Sequence, residues 1–402
     1  MRATTSTVTS DNGLRRSDDA FSLSLITLLL AFCGLIVVSN IYTMIPIHKD
    51  LSAAFQVSEI KAAWASSIFS ICYAVGFLVF GPLSERYGRK QVIVVGLAAL
   101  AVCTFFTGFV HTIGLLLLLR AMQGFVAATF APVALAYVLE TYPLEKRATT
   151  IAMISTGFLM SGIIGQVASS WITRSFGWSY VFLIFSIIYL IAFLLVWRIL
   201  PLTPGKNPHT SLLMIWKQTF ALLLKPNLVT CYMIAFILLL SFVSMYASLG
   251  NYLVSEFGLK AEQLLGIRSV GILGMILSPL AGKLITRFGL KRVLVGGLIS
   301  ASGGLLLEWG MSTLVLVTVA SVIFVAGISI VVPTLINIVG ILGGQARGGA
   351  VALYAFILFL GASAGPVIAQ LGTFEAVILI LASILLISAL LSLTIKIPGN
   401  ES

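Results

Sequence analysis

The chain is 402 residues long, and only 9% of them are Asp, Glu, Lys or Arg, against about 25% in an ordinary soluble domain. Apolar residues make up 59%, so a soluble fold of this size would have too few charges to cover its surface. A soluble enzyme, a nucleic-acid-binding module and a secreted disulfide scaffold are excluded, and the chain reads as an integral membrane protein.

The first twenty residues are polar and are expected to form a tail, 1–20. The apolar run that follows, 21–45, is too long for a signal-peptide core and reads as a retained first span. Bilayer spans need about 20 apolar residues each. Runs of that kind continue at 59–82, 91–110, 113–139, 148–172 and 178–200. A polar linker, 201–226, comes next and contains a short segment, 212–224, suited to the membrane interface. The second half reads 227–254, 262–286, 292–308, 311–340, 348–371 and 374–396, with a tail at 398–402. Two six-helix bundles, 21–200 and 227–397, are therefore expected in an all-α fold. Runs such as 181–196 and 377–391 are nearly continuous, whereas barrel strands alternate, so a β-barrel is excluded. Cys33, Cys72, Cys103 and Cys231 all lie in apolar stretches without paired spacing. They read as packing residues, and no metal site is expected.

The net charge of +11 is not gathered on one polar domain, so nucleic acid is not the expected partner. Basic residues recur in short loops between the spans. With the N-terminus in the cytoplasm, eighteen of the 24 basic residues fall inside, and Lys49, Lys61, Arg174, Lys260 and Arg268 fall outside. Arg120 alone lies within a span. This split obeys the positive-inside rule and puts both termini in the cytoplasm of a bacterial-type inner membrane. The lipid bilayer and a small molecule are the expected partners, and the expected state is a monomer.

The two halves resemble each other. Gly81, Leu83, Arg86, Gly88, Lys90, Val92 and Gly96 recur as Gly282, Leu284, Arg287, Gly289, Lys291, Val293 and Gly297. Arg147, Ala152 and Gly165 recur as Arg347, Ala352 and Gly365. Parallel repeats of this kind place a substrate site between the halves, near the bilayer midplane. Glycines in the first loop permit close approach and a sharp turn. Glu85 can accept from backbone N–H groups at a helix N-terminus and neutralise Arg89. Glu140 and Arg147 are expected to join Glu85 and Arg89 in one charge network.

The run from Gly81 to Lys90, Gly-Pro-Leu-Ser-Glu-Arg-Tyr-Gly-Arg-Lys, closely resembles the loop signature of the major facilitator superfamily. That resemblance implies twelve helices and alternating-access transport. It also implies that Glu85, in place of the more usual Asp, tethers the halves in the outward-facing state. Gating is thus assigned to Gly81, Glu85, Arg86, Gly88, Arg89, Glu140 and Arg147. The fifth span, with Gly157, Gly162, Gly165 and Gln166, resembles the antiporter signature of the family's drug and metabolite efflux branch, although Gln166 stands where proline is expected.

Arg120 is buried in the apolar run Leu115-Leu-Leu-Leu-Leu-Arg120, where insertion costs about 2.5–3.5 kcal/mol. It is expected to face a water-filled cavity, and the resemblance links it to proton transfer. Arg268, with a more polar flank, is expected to snorkel. No acid lies deep in any span; Glu140, Glu262, Glu308 and Glu375 sit near span ends. A neutral or anionic amphiphile is therefore favoured over a cation. Asn40, Tyr42, Gln123, Tyr137, Gln166, Tyr246, Asn251, Asn337 and Tyr354 are the candidate lining residues beside Arg120. No paired acids, activated nucleophile or metal cluster point to an enzyme. The expected function is efflux by proton antiport, with no cofactor beyond the proton gradient; uptake by symport is the alternative, and a non-transporting sensor or scaffold the third.

Overall fold

The computed structural model describes residues 8–203, 205, 212–259, 261–311, 313–369 and 371–397. The remainder of the linker, residues 1–7 of the expected N-terminal tail and the whole expected C-terminal tail, 398–402, lie outside the described residues. Among the described residues, twelve helices are long and apolar enough to cross a membrane. They are α1 (Leu23–Phe55), α2 (Glu59–Tyr87), α3 (Arg89–Thr107), α4 (Ile113–Thr141), α5 (Leu144–Phe176) and α6 (Trp178–Ile199). The second set is α7 (Pro226–Phe257), α8 (Gly266–Phe288), α9 (Leu290–Gly310), α10 (Leu314–Leu342), α11 (Gly344–Gly365) and α12 (Phe374–Ser392). The chain is a multi-pass membrane protein.

The boundaries differ from the sequence reading where caps and breakers act. The first helix begins at Val8, inside the expected polar tail. Span α4 breaks between Ala127 and Ala131, where Pro132 opens a new helix. Span α8 is broken at Gly271 and Pro279 into three pieces. Gly88 and Gly289 close the signature loop and its copy at φ +96° and +83°, a region that side-chain-bearing residues rarely occupy.

Packing repeats as the sequence does. In the first half α1 packs on α5, α2 on α4 and α3 on α6. The second half pairs α7 with α11, α8 with α10 and α9 with α12. The halves meet through α2 against α11 and α5 against α8 and α10. Large apolar side chains such as Phe106, Leu195, Trp197, Ile387 and Leu390 stay exposed, which suits hydrocarbon rather than water. Exposed Trp64, Trp171 and Trp309 lie toward one end of the bundle and Trp197 and Trp216 toward the other, as interface anchors do. The short helix Leu212–Ala221 crosses the end that carries the signature loop and touches α2 and α11.

Close helix contacts rest on small residues, since lipid gives no hydrophobic drive between helices. At Gly124 an added Cβ would collide with the Phe69 carbonyl of α2, whereas at Gly296 it would meet nothing within 4 Å. Gly124→Ala is therefore expected to destabilise the detergent-solubilised protein by about 1–3 kcal/mol, and Gly296→Ala to be neutral or stabilising by up to about 1 kcal/mol. Thermal unfolding of both variants checks this; equal melting points would refute the packing argument.

Candidate functional site: a cavity between the halves

A cavity of about 280 Å³ opens between the two halves. Eight helices build its wall. α5 contributes Ser155, Phe158, Leu159, Gly162, Ile163 and Gln166, a single stripe at helical spacing. α7 supplies the matching stripe Leu239, Phe242, Val243, Tyr246 and Ala247. Val38, Tyr42 and Ile45 of α1, Tyr73 and Phe77 of α2, and Ala131 and Leu135 of α4 complete the first half's wall. Across from them stand Arg268 and Met275 of α8, Val332 and Ile336 of α10, and Tyr354, Ala355, Leu358 and Phe359 of α11. α3, α6, α9 and α12 contribute nothing to the wall and form the outer flanks.

The polar groups on this wall are few, and several lack partners. The hydroxyls of Tyr73, Ser155, Tyr246 and Tyr354 and the Nε of Arg268 are buried without a hydrogen bond. Arg268 Nη2 donates to the Tyr246 carbonyl at 3.1 Å, and Gln166 Nε2 donates to the Gly162 carbonyl at 2.6 Å. A buried hydroxyl without a partner costs about 1–3 kcal/mol, and a bound molecule with polar atoms would recover that. Among the described residues, Arg268 is the only charged side chain on the wall.

Of the expected lining residues, Tyr42, Gln166, Tyr246 and Tyr354 stand on the wall. Six do not. Asn337 donates back to the Pro333 carbonyl at 2.8 Å, Asn251 is exposed, and Tyr137 is buried away from the cavity. Arg120, Asn40 and Gln123 form a closed cluster inside the first half. Arg120 is 0% exposed. Its Nη1 donates to Asn40 Oδ1 at 2.5 Å and Gln123 Oε1 at 2.9 Å, its Nη2 to the Asn40 carbonyl at 3.0 Å, and its Nε to the Ala65 carbonyl at 3.1 Å. The guanidinium also lies over the Phe69 ring at 4.3 Å. Arg268, expected to snorkel, reaches the cavity wall, and Arg120, expected to face the cavity, is buried behind it. Tyr73 and Ser155 were not anticipated, and the α5 stripe through Gln166 was the signal that could have found Ser155.

The signature-loop end of the cavity is shut. Arg89, 2% exposed, donates from Nη2 to Glu140 Oε1 at 2.9 Å, lies 3.5 Å from Glu85 Oε1, and donates from Nη1 to the Gly81 carbonyl at 3.1 Å and to Ser84. Glu85 in turn accepts from the Gly349 backbone N–H of the other half at 3.1 Å. That N–H belongs to the first turn of the helix starting at Arg347, whose partial positive charge favours a carboxylate. Ser278 donates to the Ala152 carbonyl at 3.1 Å, and Arg347 to the Leu139 carbonyl at 3.4 Å, both across the halves. Gly81 lies against Ala352, and Gly282 against Thr149. Arg147 does not join the network; its Nε donates to the Tyr142 carbonyl at 2.8 Å, which anchors the α4–α5 turn instead. Arg86 is half-buried over the Tyr87 ring.

A profile described as Major Facilitator Superfamily matches residues 27–366. The chain belongs to the Major Facilitator Superfamily. The transporter is 26% identical over 273 residues to the inner membrane transport protein YnfM of Escherichia coli K12, a match covering 66% of this chain and 64% of that one. It is 29% identical over 154 residues to the multidrug export protein EmrB of Haemophilus influenzae, covering 38% of this chain and 29% of that protein. The match thus spans less than two thirds of either relative. The proton:xylose symporter XylE superposes at a TM-score of 0.76 with 14% identity, over 95% of this chain and 97% of that one, which establishes the fold.

Two outcomes follow from the buried charges. Glu85→Gln keeps the shape but weakens the cross-half contact, and Arg89→Ala leaves two acids unpaired, a change worth about 3–5 kcal/mol where burial is complete. Both variants should widen the signature-loop end, read as a longer distance between spin labels at exposed Leu144 and Gln345; unchanged distances in both would refute the tether. Arg120→Ala strands the acceptors on Asn40, Ala65 and Gln123, and should cost about 3 kcal/mol or more of thermal stability. Arg120→Lys should recover only part, because it lacks the planar fork. Normal melting of the Ala variant combined with lost transport would instead restore a direct role in transport.

Proposed function

We propose that this transporter moves a neutral or anionic amphiphile across a bacterial inner membrane by alternating access, coupled to the proton gradient. The cavity carries this reading. Its wall is largely apolar, its free polar groups are hydroxyls, and its one charge is positive. Such a wall suits a molecule with an apolar body and a polar or anionic head. The basic loops assign the signature-loop end to the cytoplasm, with both termini on that side. The cavity sealed at that end is then the outward-facing state, and breaking the Glu85 tether opens the inward-facing one. Arg120 holds α1, α2 and α4 together behind the cavity and acts on cargo only through that scaffold.

Export by proton antiport is the leading direction, in keeping with the local likeness to a multidrug export protein. A second reading, uptake by proton symport, is favoured by Arg268, because an anion held there can be matched by a proton on the protein. Inside-out vesicles separate the two. A panel of amphipathic carboxylates and neutral amphiphiles should accumulate when the vesicle lumen is acidic, and collapse of the pH gradient by an ionophore should abolish accumulation. Accumulation that appears only in right-side-out vesicles under an inward proton gradient would establish symport. Gradient-independent accumulation of every compound would overturn proton coupling.

A further inference from the structure

On the outer flank of the second half, α8, α9 and α10 leave a groove of about 320 Å³ at the signature-loop end. Leu284 and Phe288 of α8, Arg292, Gly296 and Ser300 of α9, and Ile330 of α10 stand on its wall. Arg292, Gly296 and Ser300 follow one another at four-residue spacing, so they form a single stripe along α9. Arg292 is exposed near the start of that helix, and Ser300 lies about 12 Å farther along the axis. One hydrocarbon leaflet is about 15 Å thick, half of the bilayer core. The stripe therefore runs from the membrane surface through most of a leaflet.

The duplication shows how the groove arises. In the register that carries Gly96 onto Gly297, Gly296 stands where the first half has Val95, a side chain 67% exposed. A Cβ at Gly296 would meet nothing within 4 Å, so the missing side chain leaves open space on the outer surface. The charges diverge as well. Arg287 and Lys291 keep the cations of Arg86 and Lys90, and Arg292 replaces Gln91. Thr286 stands in place of Glu85, and Glu308, at the far end of α9, is the only acid between positions 266 and 342. Lys283, Arg287 and Arg292 are exposed and Lys291 is half-buried. Among the described residues none of the four has an acid partner, whereas Arg89 of the first copy has two. Each of the four either lines the groove or adjoins a lining residue in sequence.

We propose that this groove binds one anionic phospholipid, with its phosphate at Arg292 and one acyl chain along Gly296 and Ser300. The guanidinium fork matches phosphate oxygens, and basic pockets between spans hold anionic head groups. A zwitterionic head group carries no net charge and gains less from four cations. Free phosphate would use the cations and leave the apolar slot empty, whereas a lipid fills both. Cations that served only to set topology would need no slot beside them. The site is separate from the cargo cavity and does not depend on the direction of transport.

Native mass spectrometry of the purified full-length protein in detergent tests this. The probes are phosphatidylglycerol and phosphatidylcholine with identical acyl chains. Wild type should retain one phosphatidylglycerol about tenfold more tightly than phosphatidylcholine. Combining Lys291→Gln with Arg292→Gln should weaken that binding about tenfold or more. Gly296→Phe fills the slot, keeps every charge and should also weaken it severalfold. Gly296→Val restores the first half's residue and should act in the same direction, which carries the test if the Phe variant fails to fold. Arg198→Gln, which removes an exposed cation of α6, should change nothing. Inorganic phosphate in excess should leave the lipid bound. Equal retention of the two lipids by wild type would overturn the anionic site, and displacement by phosphate would reassign its cations to a free anion. Unchanged binding in both Gly296 variants, or an equal loss in Arg198→Gln, would replace the groove with a diffuse basic surface.

Discussion

A charge inside a bilayer must find its partners within the protein, and the architecture of this transporter follows from how its few internal charges meet that demand. Arg120 meets it completely, with four donated hydrogen bonds and an aromatic face. A group so fully satisfied has nothing left to offer a cargo, and it works as a fastener. Arg89 meets the demand with two acids and a carbonyl, one of the acids reaching into the opposite half. Its satisfaction therefore depends on conformation. Arg268 meets the demand only in part, with one donated hydrogen bond and a free Nε, and the unsatisfied remainder is where binding energy for an anion is available.

The span pattern and the duplication were legible because both are written in long apolar runs and repeated loop residues. The packing pairs of one half are those of the other, as the recurrence of Gly81 through Gly96 as Gly282 through Gly297 implied. The site was legible only in part. Apolar residues are everywhere in a membrane sequence, so Phe158, Phe242 and Phe359 carry no mark that separates a cavity wall from a lipid-facing flank. What decides is the rotation of each helix about its axis, and a mean apolar run does not encode that. Arg120 and Arg268 were assigned by depth along the span, whereas their roles are set by which face they occupy. Glu308 does sit near a span end as expected, but depth says nothing of its face: one turn from a helix end is exposed on one face and buried on the other.

The glycines of α5 show how one pattern can carry two meanings. Gly157 and Gly165 lie against backbone carbonyls of α1 at Ala31 and Ser39, while Gly162 faces Tyr42 at the cavity. In the other half Gly361 and Gly365 make the equivalent close approach to α7 at Phe236 and Val243. A close glycine contact that recurs in both halves, only one of which resembles an antiporter signature, is first a device for packing helices. Its use in setting the cavity's shape is built on that.

The seal at the signature-loop end is asymmetric, and the asymmetry suits a switch. Both halves contribute small residues that let helices touch, through Gly81 on Ala352 and Gly282 on Thr149. Such contacts are van der Waals in origin and separate without leaving a charge stranded. Glu85 is different, because it docks on the Gly349 N–H and shares Arg89 with Glu140. In the second copy Thr286 takes its place and donates to Lys283 of its own helix at 2.8 Å, so no matching tether spans the halves there. Opening this end thus requires the Glu85 and Arg347 contacts to be exchanged for water, together with the Ser278 hydrogen bond, while Arg89 keeps Glu140 within its own half. A few contacts of that kind contribute enough to favour one state and too little to lock it, which is the range in which a bound ligand can move an equilibrium.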